Sequence, residues 1–231
     1  MSTFLELCED VARESGGTAR APTSVIGQTG RQQKIIEWVK TAWNLIQNLQ
    51  SNWSFLRDEH TGTLVANSQS YSGASFSTTR FGEFMGDYGS YQPVTLYDTT
   101  IGRSDESALR LISYEVWKRR WDIGVHDATR PTEYTIGPDQ ELKFGAKPDK
   151  AYQIRFEYRK TPQALALNTD EPDMPLRFHD IIVWRAIMLM ADHDEALNAM
   201  TIANGKYLEL KASMERDLLP AFNMRSERPL A

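Results

Sequence analysis

Apolar residues recur at spacings of three and four along several stretches of the chain, which predicts amphipathic helices. Phe4, Leu5, Cys8, Val11 and Ala12 fall on one face of a first helix that Ser2 or Thr3 can cap, running to about Ser15 before Gly16-Gly17 stops it. A loop rich in Gly, Ala, Thr and Pro, Thr18 to Thr29, leads to a second helix over about 30–49. Its face is Ile35, Ile36, Val39, Ala42, Trp43, Ile46 and Leu49. Trp38 lies off the centre of this stripe, as a boundary residue or as a contact to another subunit. The run Ile181–Ala191 carries only Arg185 as a charge. A helix apolar nearly all round is a buried one, so this is the expected central helix. Pro175 suits its first turn, and Asp170, Glu171 and Asp173 suit the positive end of its dipole. A last helix over about 196–219, with the stripe Met200, Ala203, Tyr207, Leu210, Met214 and Leu218, completes an αα-hairpin and ends at Pro220.

The middle of the chain has a period of two. Glu59–Val65, Val94–Tyr97, Arg130–Ile136, Glu141–Phe144 and Tyr152–Arg159 read as strands, the last alternating cleanly, with turns at Gly137–Gln140 and Gly145–Asp149. Ser104, Asp105 or Ser107 can cap a short helix to about Trp121, with Leu109, Ile112, Val116 and Trp117 as its apolar residues. These strands predict one small antiparallel sheet. Between them lies Asn67 to Pro93, rich in Ser, Gly, Thr and aromatic residues: Tyr71, Phe76, Phe81, Phe84, Tyr88 and Tyr91. One reading is a long mobile loop. The other is a loop that orders against a partner, with rigid rings as anchors and Ser/Gly for adaptability. The resulting class is α+β: mainly a helical bundle with an inserted small antiparallel β lobe and a long aromatic/Ser/Gly loop. Residues 1–56 supply N-terminal helices, 57–165 a β-rich lobe with one short helix, 166–219 a C-terminal helical hairpin, and 220–231 an extended tail.

Composition narrows the function classes. The formal net charge of −5 disfavours a general nucleic-acid binder. The single cysteine, Cys8, permits no internal disulfide. The N-terminus shows no signal-peptide pattern, and Ile181–Ala191 is too short to span a bilayer. No phosphate loop, Gly-x-Ser-x-Gly or zinc cysteine pair occurs. None of the four histidines, His60, His126, His179 and His193, pairs with another at i, i+4. Asp192-His193-Asp194-Glu195 contains metal-ligand types, but consecutive helical residues diverge, and a polar helix end is the plainer reading. His179 beside Asp180 reads as a helix-start hydrogen-bonding residue. Asp98, Asp105 and Glu106 could be catalytic carboxylates, though a helix start accounts for two of them. Lys118-Arg119-Arg120 could touch DNA or simply suit a helix C-terminus. No cofactor or metal is expected.

Several segments, in order, carry a resemblance. They are Val25-Ile26-Gly27-Gln28-Thr29-Gly30, Trp38-Val39 with Ala42-Trp43, and Asn52-Trp53 with Phe55-Leu56. Tyr114 and Trp117 follow, before the Arg130-Pro131 strand, then Thr135-Ile136-Gly137-Pro138-Asp139 and Tyr158-Arg159-Lys160-Thr161-Pro162. The series closes with Asp170 and Pro172 through Pro175, Phe178 and His179, and with Glu215-Arg216-Asp217 before Leu219-Pro220. The chain resembles the head-to-tail adaptor, or connector, proteins of tailed bacteriophages, the ring subunits below the portal. The Asn67–Pro93 segment has no counterpart in that pattern.

The resemblance implies a non-enzymatic structural virion protein at the head–tail junction, assembled in the host cytoplasm and not on a membrane. Its partners would be copies of itself in a ring, commonly a dodecamer, the portal protein, and a downstream tail or neck protein. Genomic DNA would pass through without specific binding; a net-negative lumen offers phosphates few cations and so little counterion release. The tail keeps Phe222, Met224 and Leu230 among Arg225, Glu227 and Arg228. It is either a frayed end or, as in the resembling adaptors, a segment that docks on the portal through Phe222, Met224, Arg225, Arg228 and Leu230. The aromatic loop would then face the tail side or a neighbouring subunit. The competing classes are a tail-associated hydrolase using the acids near Tyr97–Glu106 or Asp192–Glu195, and a surface-binding module using the aromatic loop.

Overall fold

Thr3 opens the first helix with a reciprocal cap. Its Oγ1 accepts from the Glu6 amide at 3.3 Å, while its own amide donates to Glu6 Oε2 at 2.8 Å. In this computed structural model, which describes residues 2–16, 20–86 and 92–220, α1 spans Phe4–Glu14 and α2 spans Gly30–Leu49. The other long helices are α4, Asp180–His193, and α5, Leu197–Leu218. The chain divides into two compact units, residues 1–56 with 162–231, and residues 57–161.

In the first unit α4 packs against α1, α2 and α5. Ile181, Ile182, Val183, Ala186, Ile187, Met188, Met190 and Ala191 are all buried, so the dense apolar run is the shared core element. Its helix does not begin at Pro175. Pro175 precedes a 3-10 turn, Leu176–Phe178, and the α-helix begins only at Asp180. The loop before it serves α1: the amides of Phe4 and Leu5 donate to the carbonyls of Asp170 (2.7 Å) and Asn168 (3.3 Å). Gln47, 2% exposed, is a polar residue inside the core. Its Nε2 donates to the Gln163 carbonyl at 3.0 Å and its Oε1 accepts the Gln163 amide at 2.6 Å. Burial of the amide is tolerated because both ends are bonded. Trp53 Nε1 likewise donates to the Ile46 carbonyl at 3.1 Å.

The second unit holds two sheets. Its strands in chain order are β1 (Arg57–Leu64), β2 (Ser70–Tyr71), β3 (Phe81–Phe84), β4 (Thr95–Asp98), β5 (Ser107–Ala108) and β6 (Arg110–Leu111). After a short helix α3, Tyr114–Trp117, come β7 (Glu133–Ile136), β8 (Leu142–Phe144) and β9 (Tyr152–Lys160). β9 organises the larger sheet. One edge pairs with all of β1, from Arg57 opposite Arg159 to Leu64 opposite Tyr152. The other edge is shared by β3 and β4. Tyr152, Ile154, Phe156 and Tyr158 alternate inward along β9, as the period of two requires. The smaller sheet runs β2-β8-β7-β6.

Three expectations are corrected here. The strands form two sheets, and the β6–β7 pair is parallel. The helix expected from Ser104 to Trp121 reduces to α3 followed by a wide turn, Lys118–Asp122, because Ser107–Ala108 and Arg110–Leu111 pair with β4 and β7 instead. Part of the expected loop is structured: it contributes β2, a 3-10 turn over Gly73–Phe76, and β3, while 87–91 lie outside the described residues. Tyr71, Phe76 and Phe84 are buried there with Phe144, Phe156 and Tyr158. Glycines make room for these rings. A Cβ on Gly62 of β1 would clash with the Phe76 ring, and one on Gly73 with the Phe81 ring.

Candidate functional site

The residues singled out from the sequence go to different places. Tyr71, Phe76 and Phe84 belong to the core of the second unit, and Phe81 packs on it. Tyr71 stacks on Phe76 at 5.4 Å and meets Phe144 edge-on at 5.8 Å, and its hydroxyl donates to the Val65 carbonyl at 3.0 Å. Rings so engaged are not free anchors for a partner, because withdrawing them would open the core. Tyr88, Tyr91 and the tail residues Phe222, Met224, Arg225, Arg228 and Leu230 lie outside the described residues.

Asp98, Asp105 and Glu106, the candidate catalytic carboxylates, are bound into ion pairs. Asp98, 3% exposed, pairs with Lys150, and its Oδ1 accepts from the Thr100 amide (2.8 Å) and hydroxyl (2.7 Å). The Lys150 ammonium, with Thr100, holds its carboxyl well below the usual carboxylate range. Asp105 is also lowered, chiefly by Arg130, whose Nη1 lies 2.7 Å from Oδ2. Glu106 is lowered by the Thr95 hydroxyl at 2.6 Å and by Arg103 and Arg155. A general acid needs its pKa moved upward, toward the working pH. Here every shift is downward, so these groups act as fixed anions that tie β4 and its following turn to Arg130, Lys150 and β9.

The Asp192–Glu195 stretch ends α4 with a turn rather than a ligand set. The Ala196 amide donates to the Ala191 carbonyl at 2.9 Å and the Glu195 amide to the Asp192 carbonyl at 3.4 Å. Together with φ 55° at Glu195, these bonds form a Schellman cap. Asp194 reaches back to α2, where Arg31 Nη1 donates to its Oδ1 at 2.8 Å. His193 Nδ1 donates to the same oxygen at 2.9 Å, and Lys34 Nζ donates to His193 Nε2 at 2.6 Å. Trp38 packs on this cluster, with the Arg31 guanidinium 4.8 Å from its ring centre and His193 edge-on at 5.6 Å. Among the described residues no group of three or more His, Cys, Asp or Glu could hold a metal ion. His179 is buried at the start of α4, with Nε2 donating to the Met174 carbonyl at 3.0 Å.

The basic triplet divides. Arg120 turns to Glu133, with Nη1 2.9 Å from Oε2, and Arg110 and the Trp121 indole join the same carboxylate. Lys118 and Arg119 are exposed and have no ion pair among the described residues. No helix is long and apolar enough to cross a membrane among those residues.

Asp98, Asp105 and Glu106 are thus paired with cations, and Tyr71, Phe76 and Phe84 are packed in the core of the second unit. A family model described as SU10 adaptor protein matches residues 2–229. The chain belongs to the SU10 adaptor protein family. This SU10 adaptor protein is thus a bacteriophage head–tail adaptor, and its role is structural rather than enzymatic. The family implies portal and tail proteins as partners. No curated protein matches the chain. Sequence reasoning missed the reciprocal Gln47–Gln163 bonding and the Arg31–Asp194 tie. Both join residues far apart in the chain, and no local pattern points from one partner to the other.

Proposed function

We propose that this head–tail adaptor works as a ring, commonly of twelve copies, set below the portal in the virion neck, and that its C-terminal residues hold it to the portal. The observation that carries the reading is the reach of the family match. It runs to residue 229, past the end of α5 at Leu218, so the match takes in the tail together with the helices, which supports a role for the tail in the adaptor. In that tail Phe222, Met224 and Leu230 supply apolar anchors, and Arg225 and Arg228 supply charges that orient the segment on an acidic surface. The overall charge of −5 suits a conduit that DNA must leave without being held. Of the ring-rich segment, Tyr88 and Tyr91 remain for a contact on the tail side or with a neighbouring copy.

Deleting residues 222–231 removes no part of the described helices or sheets. The truncated chain is expected to keep its thermal unfolding transition and to lose co-sedimentation with portal rings. Undiminished co-sedimentation would show that the tail is not the anchor.

A further inference from the structure

α2 starts without the devices that usually hold a helix N-terminus. The Thr29 side chain makes no capping bond, Gly30 takes φ 61°, and the first turn holds the cation Arg31 but no acid. Lys34 adds a second cation at the next turn. Both cations oppose the positive end of the α2 dipole, and both suit the negative end of α4, which they touch. Arg31 donates to Asp194 at 2.8 Å and Lys34 to His193 at 2.6 Å. The start of α2 is therefore held from outside, by the end of α4 and by the Gln32 side chain, which reaches the Ala21 carbonyl at 3.2 Å.

The Lys34–His193–Asp194 chain also fixes the imidazole. An ammonium can only donate and a carboxylate can only accept. A neutral His193 that bonds Lys34 through Nε2 and Asp194 Oδ1 through Nδ1, at 2.9 Å, must carry its hydrogen on Nδ1. Around the ring stand Arg31, Lys34 and Glu37 from α2, and Asp192, Asp194 and Glu195 from the end of α4. Residues 197–200, which open α5, carry no charge, and Asp10 of α1 faces Asp180 at the other end of α4.

We propose that His193 is an acid-sensitive latch between the start of α2 and the end of α4. While the ring is neutral, Nε2 accepts from Lys34 and the latch is closed. A proton taken up from solvent goes to Nε2, the ring nitrogen whose lone pair is not already carrying hydrogen. Imidazolium and ammonium then face each other N–H to N–H, so Lys34 gives up the contact and turns to water. The bond from Nδ1 to Asp194 survives, as does the Arg31 tie, because Arg31 keeps the Asp194 carboxyl well below the usual carboxylate range. Acid thus removes one of the two ties from α4 and loosens the first turn of α2, while the cap of α4 stays in place. The latch belongs to the single subunit and does not depend on a ring.

Amide hydrogen exchange of the full chain, followed by NMR, tests it. The amides of 34–36 bond to the carbonyls of 30–32, so their protection reports on the first turn of α2. After correction for the intrinsic effect of pH on exchange, that protection is expected to fall about twofold to fivefold between about pH 8 and about pH 5. His193→Gln keeps an acceptor for Lys34 but takes up no proton, and its protection should stay level over the same range. Lys34→Met should show the lowered protection at both ends of it. With nitrogen-15 in the ring, His193 should read as pyrrole-type at Nδ1 and pyridine-type at Nε2 at the upper pH. A hydrogen on Nε2 there overturns the latch. So does wild-type protection that ignores pH, or a fall in His193→Gln equal to that of the wild type.

Discussion

The ring of Phe76 lies directly over the backbone of Gly62. A methyl group at residue 62 would sit 2.8 Å from Cε1 of that ring and closer still to Cδ1. The contact joins β1 to a segment whose composition reads as loop, and Phe76 in turn meets Phe156 of β9 at 4.8 Å. Gly62→Ala should therefore force the ring out of its place. Overpacking of this kind costs about 1–3 kcal/mol. Phe76→Ala leaves a cavity instead and should cost about 3–5 kcal/mol. Urea denaturation of the full chain measures both. Unchanged midpoints would mean that the segment does not contribute to the core.

The Arg31–Asp194 tie predicts a response to acid. Arg31, helped by the Nδ1–H of His193, holds the Asp194 carboxyl well below its ordinary 3.8. The folded state thus favours the ionised form, and stability from this group is present above pH 4 or so and lost as pH falls toward the folded value. Asp194→Asn should lower stability at neutral pH and flatten the acid limb of a stability–pH curve. Since the pair is partly exposed, added salt should narrow the difference between variant and wild type. An unaltered acid limb in the variant would refute the assignment.

Glu195 occupies the left-handed position of the α4 cap, where glycine is the usual residue. Glu195→Gly relieves that backbone conformation and should raise stability by about 0.5–1 kcal/mol. Calorimetry of the full chain checks this, and an unchanged or lower melting temperature would refute the reading of the cap.

The sequence by itself determined what is periodic. The stripe from Ile35 to Ile46 places α2, and Gly30–Leu49 forms as the spacing predicts. The apolar run of α4 announces burial on every side, and the alternation of Tyr152 to Tyr158 announces β9. These signals are local, since each follows from 3.6 or 2 residues per repeat against one apolar core. The order of short segments from Val25 to Pro220 also points to the adaptor family. Tertiary structure alone decided the remainder. Tyr71, Phe76 and Phe84 look like loose rings among serines and glycines, and only Phe144, Phe156 and Gly62, distant in the chain, turn them into core. β5 and β6 are too short to show a period and exist because β4 and β7 offer them edges. Three adjacent cations read alike in sequence, but Glu133 claims Arg120 and leaves Lys118 and Arg119 at the surface. Two-residue strands, ring contacts and ion pairs draw their energy from partners that folding brings near, so no window of sequence contains them.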